Sequence, residues 1–256
     1  MEFLLLLKKQ SALLYWFGWA NFALALLLIV FSCIWPVVFQ GLSAWHKPIK
    51  FALSIGILVW TVARMEVYLP PGKDLSGANL ILFLSLLFEI IYISFQAARG
   101  QASHFNLSTP LHQFLYSLMA LAASAASLTV AYLGIKFFSA SFPALPTAFL
   151  WSLRLGIILF VVFSFAGFAM GARLSHNVGE LTGPHHPRLP FLGWSLRLGD
   201  LRIAHFLGMH ALQILPLLGW YLLKDTRLVF LAFGLYALLA GALFLQALAG
   251  KPLISL

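Results

Sequence analysis

Runs of twenty or more residues almost without charge recur along the chain, and they constrain its fold more than any other feature. Residues 77–98 hold a single ionisable acid, Glu89, and residues 228–249 hold no Asp, Glu, Lys or Arg. Each run matches the length of a helix that crosses a bilayer. Of the 256 residues 62% are hydrophobic and only 9% are Asp, Glu, Lys or Arg, where a soluble surface takes about a quarter. A chain of this size cannot hide that much apolar surface from water. A soluble enzyme, a disulfide scaffold and a disordered tail are excluded. The expected fold is all-α: a polytopic membrane helix bundle with seven transmembrane helices, near 12–35, 49–69, 77–98, 111–135, 147–171, 200–222 and 227–249. Ser76, Thr109-Pro110, Asp200 and Thr226 stand where a cap or first-turn residue belongs.

The expected domain is a single bundle over residues 1–256. Its loops are short except 172–199, where Gly179, Gly183, Pro184, Pro187 and Pro190 point to an ordered loop or short lid. No internal repeat is visible, so an inverted-repeat transporter has no support. The one cysteine, Cys33, excludes an intrachain disulfide, and Lys8-Lys9 precede a hydrophobic run too long for a cleavable signal.

The net charge of +9 does not indicate nucleic acid, because the cations are scattered among short loops. Membrane lipid and a small anionic ligand are the natural partners. Seven spans place the cations on two faces. Face A, with the N-terminus, carries Lys8, Lys9, Arg64, Lys73, Lys136, Lys224 and Arg227. Face B carries Lys47, Lys50, Arg99, Arg173, Arg188, Arg197, Arg202 and Lys251, so the balance does not set orientation. All eight histidines fall on face B: His46, His104, His112, His176, His185, His186, His205 and His210. Face B reads as the working side, with interfacial decoration as the alternative.

Ionisable groups at membrane depth point to function. Ser85, Glu89, Tyr92, Gln96 and Arg99 share one helical stripe, and Lys50, Ser54, Thr61 and Arg64 share another. His205 and His210 sit in the sixth span, the latter near Gln213. Helical rise puts Glu89 and His210 each about 15 Å below face B. A proton relay or a structural hydrogen bond between them is open. His205 and His210 are about 140° apart around the helix, so one metal needs a bulge at Gly208 together with His104 or His112 and an oxygen from Asp200 or Glu89. A haem b between His112 and His205 is the related option, with room at Gly167, Gly171 and Gly208. Ser103 beside His104 suggests nucleophile and base, but adjacent loop residues seldom aim at each other. His185-His186 between prolines reads as a turn. Arg154 is placed to snorkel or to pair within the bundle.

Trp45-His46-Lys47-Pro48-Ile49-Lys50-Phe51, Arg99-Gly100-Gln101-Ala102-Ser103-His104-Phe105-Asn106, Gly193-Trp194-Ser195 and the stretch from Gly199 to Gln213 together resemble a family of uncharacterised bacterial multi-pass membrane proteins. The resemblance covers most of the chain and implies the bacterial inner membrane, without implying an activity. The residues themselves suggest one pocket on face B. Glu89, His210 and Arg99 are its candidate catalytic groups. Lys47, Lys50, Arg202, Asn106 and Gln96 are candidate substrate ligands. His104, His205, His210 and His112 are candidate ligands for a transition metal or haem. The expected function is a metal- or haem-dependent membrane-embedded enzyme acting on a lipid or small anionic substrate. A proton-coupled small-anion transporter and a structural membrane subunit are the alternatives.

Overall fold

In the computed structural model, residues 2–70, 74–180 and 187–254 are described. The protein is all-α, with seven helices long and apolar enough to cross a membrane. A short amphipathic helix, α1 (Glu2–Gln10), precedes the spans and ends on Lys8 and Lys9. Ser11 then restarts the chain by capping α2 (Ala12–Ile34), its Oγ accepting from the Leu14 N–H. After α2 comes a hairpin of β1 (Val38–Phe39) and β2 (Leu42–Ser43). Its two-residue turn, Gln40-Gly41, has positive φ at both positions, the geometry that matches strand twist in a tight hairpin. Then follow α3 (His46–Glu66), α4 (Ser76–Ala98), α5 (Pro110–Ser139), α6 (Thr147–Ala166), α7 (Phe168–Arg173), β3 (Asn177–Val178), β4 (Gly199–Asp200), α8 (Leu201–Tyr221) and α9 (Thr226–Leu248).

The spans fall where hydropathy puts them, with two instructive shifts. α3 starts three residues early because Pro48 sits in its first turn, where a missing N–H costs nothing. The fifth span divides at Gly167 into α6 and α7. Asp200 caps α8 as expected, accepting from the Arg202 N–H. Thr226 opens the first turn of α9, which Asp225 caps.

Two compact units divide the described chain, Met1–Thr129 and Val130–Leu256, and α5 contributes to both. In the first, α2 lies against α3. Gly18 permits this approach: a Cβ there would fall 2.1 Å from the Trp60 indole nitrogen. In the second, α6 and α8 form the closest pair, joined by α9. Leu155, Leu159, Phe163, Ala204, Ala211 and Leu215 make the core of that unit. Outward faces are strongly apolar, with Leu26, Ile34, Leu80, Leu121, Leu217 and Leu238 all exposed, as a lipid-facing surface requires.

Candidate functional site

In the first unit a turn at the end of α4 creates the densest polar cluster. Gly100 takes φ +63°. Its N–H bonds to the Ala97 carbonyl, and the Gln101 N–H reaches back to Gln96, a Schellman closure that only glycine adopts without strain. The chain then folds Ser103 and His104 back toward the start of α3. Lys47 Nζ donates to Ser103 Oγ at 2.6 Å and lies 2.9 Å from His104 Nδ1. Ser103 Oγ and His104 Nδ1 are themselves 3.2 Å apart. Hydroxyl, imidazole and ammonium thus form a closed triangle, and Ser103 is only 4% exposed. Burial, and then the neighbouring Lys47 charge, hold the His104 imidazole well below its usual pKa. At neutral pH the ring is uncharged, and Nδ1 accepts.

The loop is held from both sides. Gln96 Nε2 donates to the Ala102 carbonyl at 3.0 Å and to Tyr92 OH at 3.3 Å. Asn106 Nδ2 donates to the same Ala102 carbonyl, while its Oδ1 accepts from Ser108. These two expected substrate ligands therefore brace the loop that carries Ser103. Phe105, next to His104, has φ +58°. A bulky residue in the left-handed region is strained, and such strain gathers at functional segments. Its ring meets His104 on one side and Tyr116 on the other. Phe51 lies below Lys47 and beside His104, over a floor of Tyr92, Ile93 and Met119.

Deeper on α4 stands Glu89, 5% exposed, with Oε1 buried and lacking any hydrogen-bond partner. Lys47 is the cation that acts on it electrostatically. Ser85, Glu89, Tyr92 and Gln96 are all buried, so the polar stripe read from the sequence does turn inward. Arg99 does not join it; its guanidinium lies over the exposed Phe95 ring, 5.3 Å from the centroid. Lys50 follows Lys47 by one turn of α3 and bears electrostatically on His46.

The second unit holds a different arrangement. Asp200 Oδ1 accepts from the Arg202 N–H and Nε, and Oδ2 accepts from the Ser195 N–H and Arg202 Nη2. Arg202 also donates to the Gly193 carbonyl. Ser195 Oγ accepts from the N–H groups of Arg197 and Leu198. The arginine expected to meet substrate is thus locked in a clasp closing the 187–200 loop, near Arg188, whose pKa burial lowers. His205 Nδ1 lies 2.7 Å from the Phe163 carbonyl of α6. The His210 ring lies against Phe206, tilted at 59°, and bonds to Gln213. Arg154 pairs with the Phe137 carbonyl at 3.0 Å.

Glu89 lies in the first unit and His210 in the second. His185 and His186, like Lys73, are outside the described residues. Among the described residues no three His, Cys, Asp or Glu side chains gather where they could hold a metal ion. His112 Nδ1 is 3.0 Å from both Ser108 Oγ and Thr109 Oγ1. Within the second unit Gly208 and Gly167 are closely packed: a Cβ at Gly208 would fall 2.0 Å from the Phe163 ring, and one at Gly167 would lie 3.0 Å from His205. α8 runs through Gly208 without a bulge.

Sequence reasoning set Ser103 aside because it neighbours His104, and it assigned Lys47 to substrate alone. Arg99-Gly100 was the available signal, since a glycine after a helix end reverses the chain over that end. No family model matches the chain, and neither a curated protein nor a solved structure matches it.

Proposed function

We propose that the protein is a membrane-embedded enzyme acting on a lipid ester with an anionic headgroup, with Ser103 as nucleophile. The Lys47–Ser103–His104 triangle carries this reading. His104 is neutral, so its Nδ1 can take the proton as Ser103 Oγ bonds to the substrate carbonyl carbon. Lys47 then faces the developing oxyanion, the role in which a fixed cation contributes most. The ester C–O bond breaks, and the proton on Nδ1 passes to the leaving alkoxide. Water attacks the acyl-serine in the reverse sense and restores the hydroxyl. An ammonium beside the nucleophile favours anionic headgroups over neutral ones. No metal or haem enters these steps. The motif resemblance adds a location to the proposal, the bacterial inner membrane.

A fluorophosphonate probe, which captures activated serines, tests the reading on protein held in nanodiscs. Wild type should label at Ser103, and Ser103→Ala should abolish the signal. Absence of labelling in folded wild type would overturn the nucleophile. A second reading, a proton-coupled small-anion transporter, is favoured by the bare Oε1 of Glu89 within a continuous buried stripe. It requires a pH-dependent anion flux in proteoliposomes that Glu89→Gln removes.

A further inference from the structure

The same two helices that hold Lys47 and Glu89 also meet at their other end, about 28 Å along α3 by helical rise. There Glu66, the last residue of α3, is 3% exposed. Asn79, in the first turn of α4 and 6% exposed, donates Nδ2 to Glu66 Oε2 at 3.1 Å and to Ser11 Oγ at 3.4 Å. Gln10, closing α1, bonds to the same carboxylate. The other arm of the Asn79 amide, Oδ1, is buried and has no partner.

Among the described residues no lysine, arginine or histidine lies within ion-pair distance of Glu66. The charged groups of the surrounding elements are engaged or turned outward. Arg64 of α3 lies over the rings of Tyr68 and Phe3, at 4.6 and 6.0 Å. Lys8 of α1 lies over Trp16 at 5.5 Å, and Lys9 is exposed. Asp74, before α4, is exposed and accepts from the Ser76 N–H, while the first turn of α2 carries no charge. Two helices, α1 and α3, end at this point and two, α2 and α4, begin there, so their partial end charges of opposite sign offset one another. A buried carboxylate beside an orphaned amide oxygen is costly as an anion unless a cation joins it.

We propose that Glu66, Asn79 and Ser11 form a binding site for a monovalent alkali cation, sodium in the first instance. Their donors are hard oxygens, and a single carboxylate matches a single positive charge. Carbonyl ends of membrane helices bind sodium in this way elsewhere. A half-turn of the Asn79 amide exchanges Nδ2 for Oδ1. Oδ1 then stands between Glu66 Oε2 and Ser11 Oγ, and three oxygens converge. The bound ion ties the α1–α2 junction to α3 and α4. It does not depend on the chemistry at Ser103.

Thermal unfolding of the purified protein in nanodiscs, in sodium, potassium or choline chloride at equal ionic strength, tests the site. Sodium should raise the Tm by several degrees over choline. Glu66→Gln should abolish that rise, and Asn79→Ala should shift the half-saturating sodium concentration at least tenfold upward. Equal Tm values in the three salts, or a sodium-specific rise that survives Glu66→Gln, would overturn the proposal. Should Glu66→Gln fail to accumulate, an unshifted sodium dependence in Asn79→Ala would overturn it equally.

Discussion

The first turns of α3 and α8 begin alike, each with a basic residue at the start of a span, and end in opposite states. Arg202 finds its carboxylate two residues away. Each oxygen of Asp200 accepts two hydrogen bonds, so the carboxylate is fully paired. Lys47 finds a hydroxyl and an imidazole more than fifty residues away. The carboxylate its charge reaches, Glu89, keeps a bare oxygen. A saturated buried network fixes structure, whereas an incomplete one retains capacity to bind or to react. The difference separates a cation used to hold a loop from one available to a substrate.

Breaking the saturated side should have the largest effect on stability. Asp200→Ala strands Arg202 and the Ser195 N–H and should cost about 3 kcal/mol, read as a lowered Tm in detergent, while the remaining folded protein still labels at Ser103. Loss of labelling in folded Asp200→Ala would mean that the clasp belongs to the reactive centre. Ser103→Ala should reverse the pattern. Labelling disappears, and stability changes by about 1 kcal/mol or less. Lys47→Met sharpens the contrast further, because it takes the shared donor from Ser103 and His104 and the cation that acts on Glu89, a loss that destabilises. Its Tm should fall, by less than that of Asp200→Ala, while labelling falls at least tenfold.

The smallest effect is in pH dependence. His104 has a depressed pKa in the folded protein, so below the ordinary imidazole pKa of about 6.5 the unfolded chain takes up a proton that the folded one refuses. Stability attributable to this group is therefore full above about pH 6.5 and is lost as the pH falls toward the folded value. Wild-type Tm should decline between about pH 6.5 and pH 5, and His104→Gln should flatten that slope. An unchanged slope in the variant would place the loss elsewhere.

Hydropathy alone located the seven spans, because backbone groups in lipid leave helices few alternatives. The inward stripe of Ser85, Glu89, Tyr92 and Gln96 was legible from spacing. So was the Asp200 cap. The 38–43 hairpin was not, since Gln40 is an unusual residue for a position with positive φ. The Lys47–Ser103 contact was hidden for a physical reason. It depends on a chain reversal at Gly100 and on strained Phe105, and no periodicity records either one. Glu66, Asn79 and Ser11 drew no attention because each is a lone polar residue at a helix end, where solvent is the ordinary partner.

α3, which carries Lys47, Lys50, Arg64 and Glu66, and α8, which carries Arg202, His205 and His210, are the least hydropathic of the seven spans. This bears on how the chain reaches the bilayer. A segment weighed down by Lys47, Lys50, Arg64 and Glu66 partitions poorly from a translocon on its own, since each charge near a span opposes transfer. α2 emerges first, is nearly free of polar groups, and lies along α3 in the finished protein. Held at the translocon's lateral gate, it offers α3 a surface that already suits it, so the pair leaves as a hairpin. α6 can do the same for α8 only if it waits beside the ribosome's exit while the 174–199 segment is made. The polar residues carried by α3 and α8 thereby make the protein's biogenesis depend on the order of synthesis.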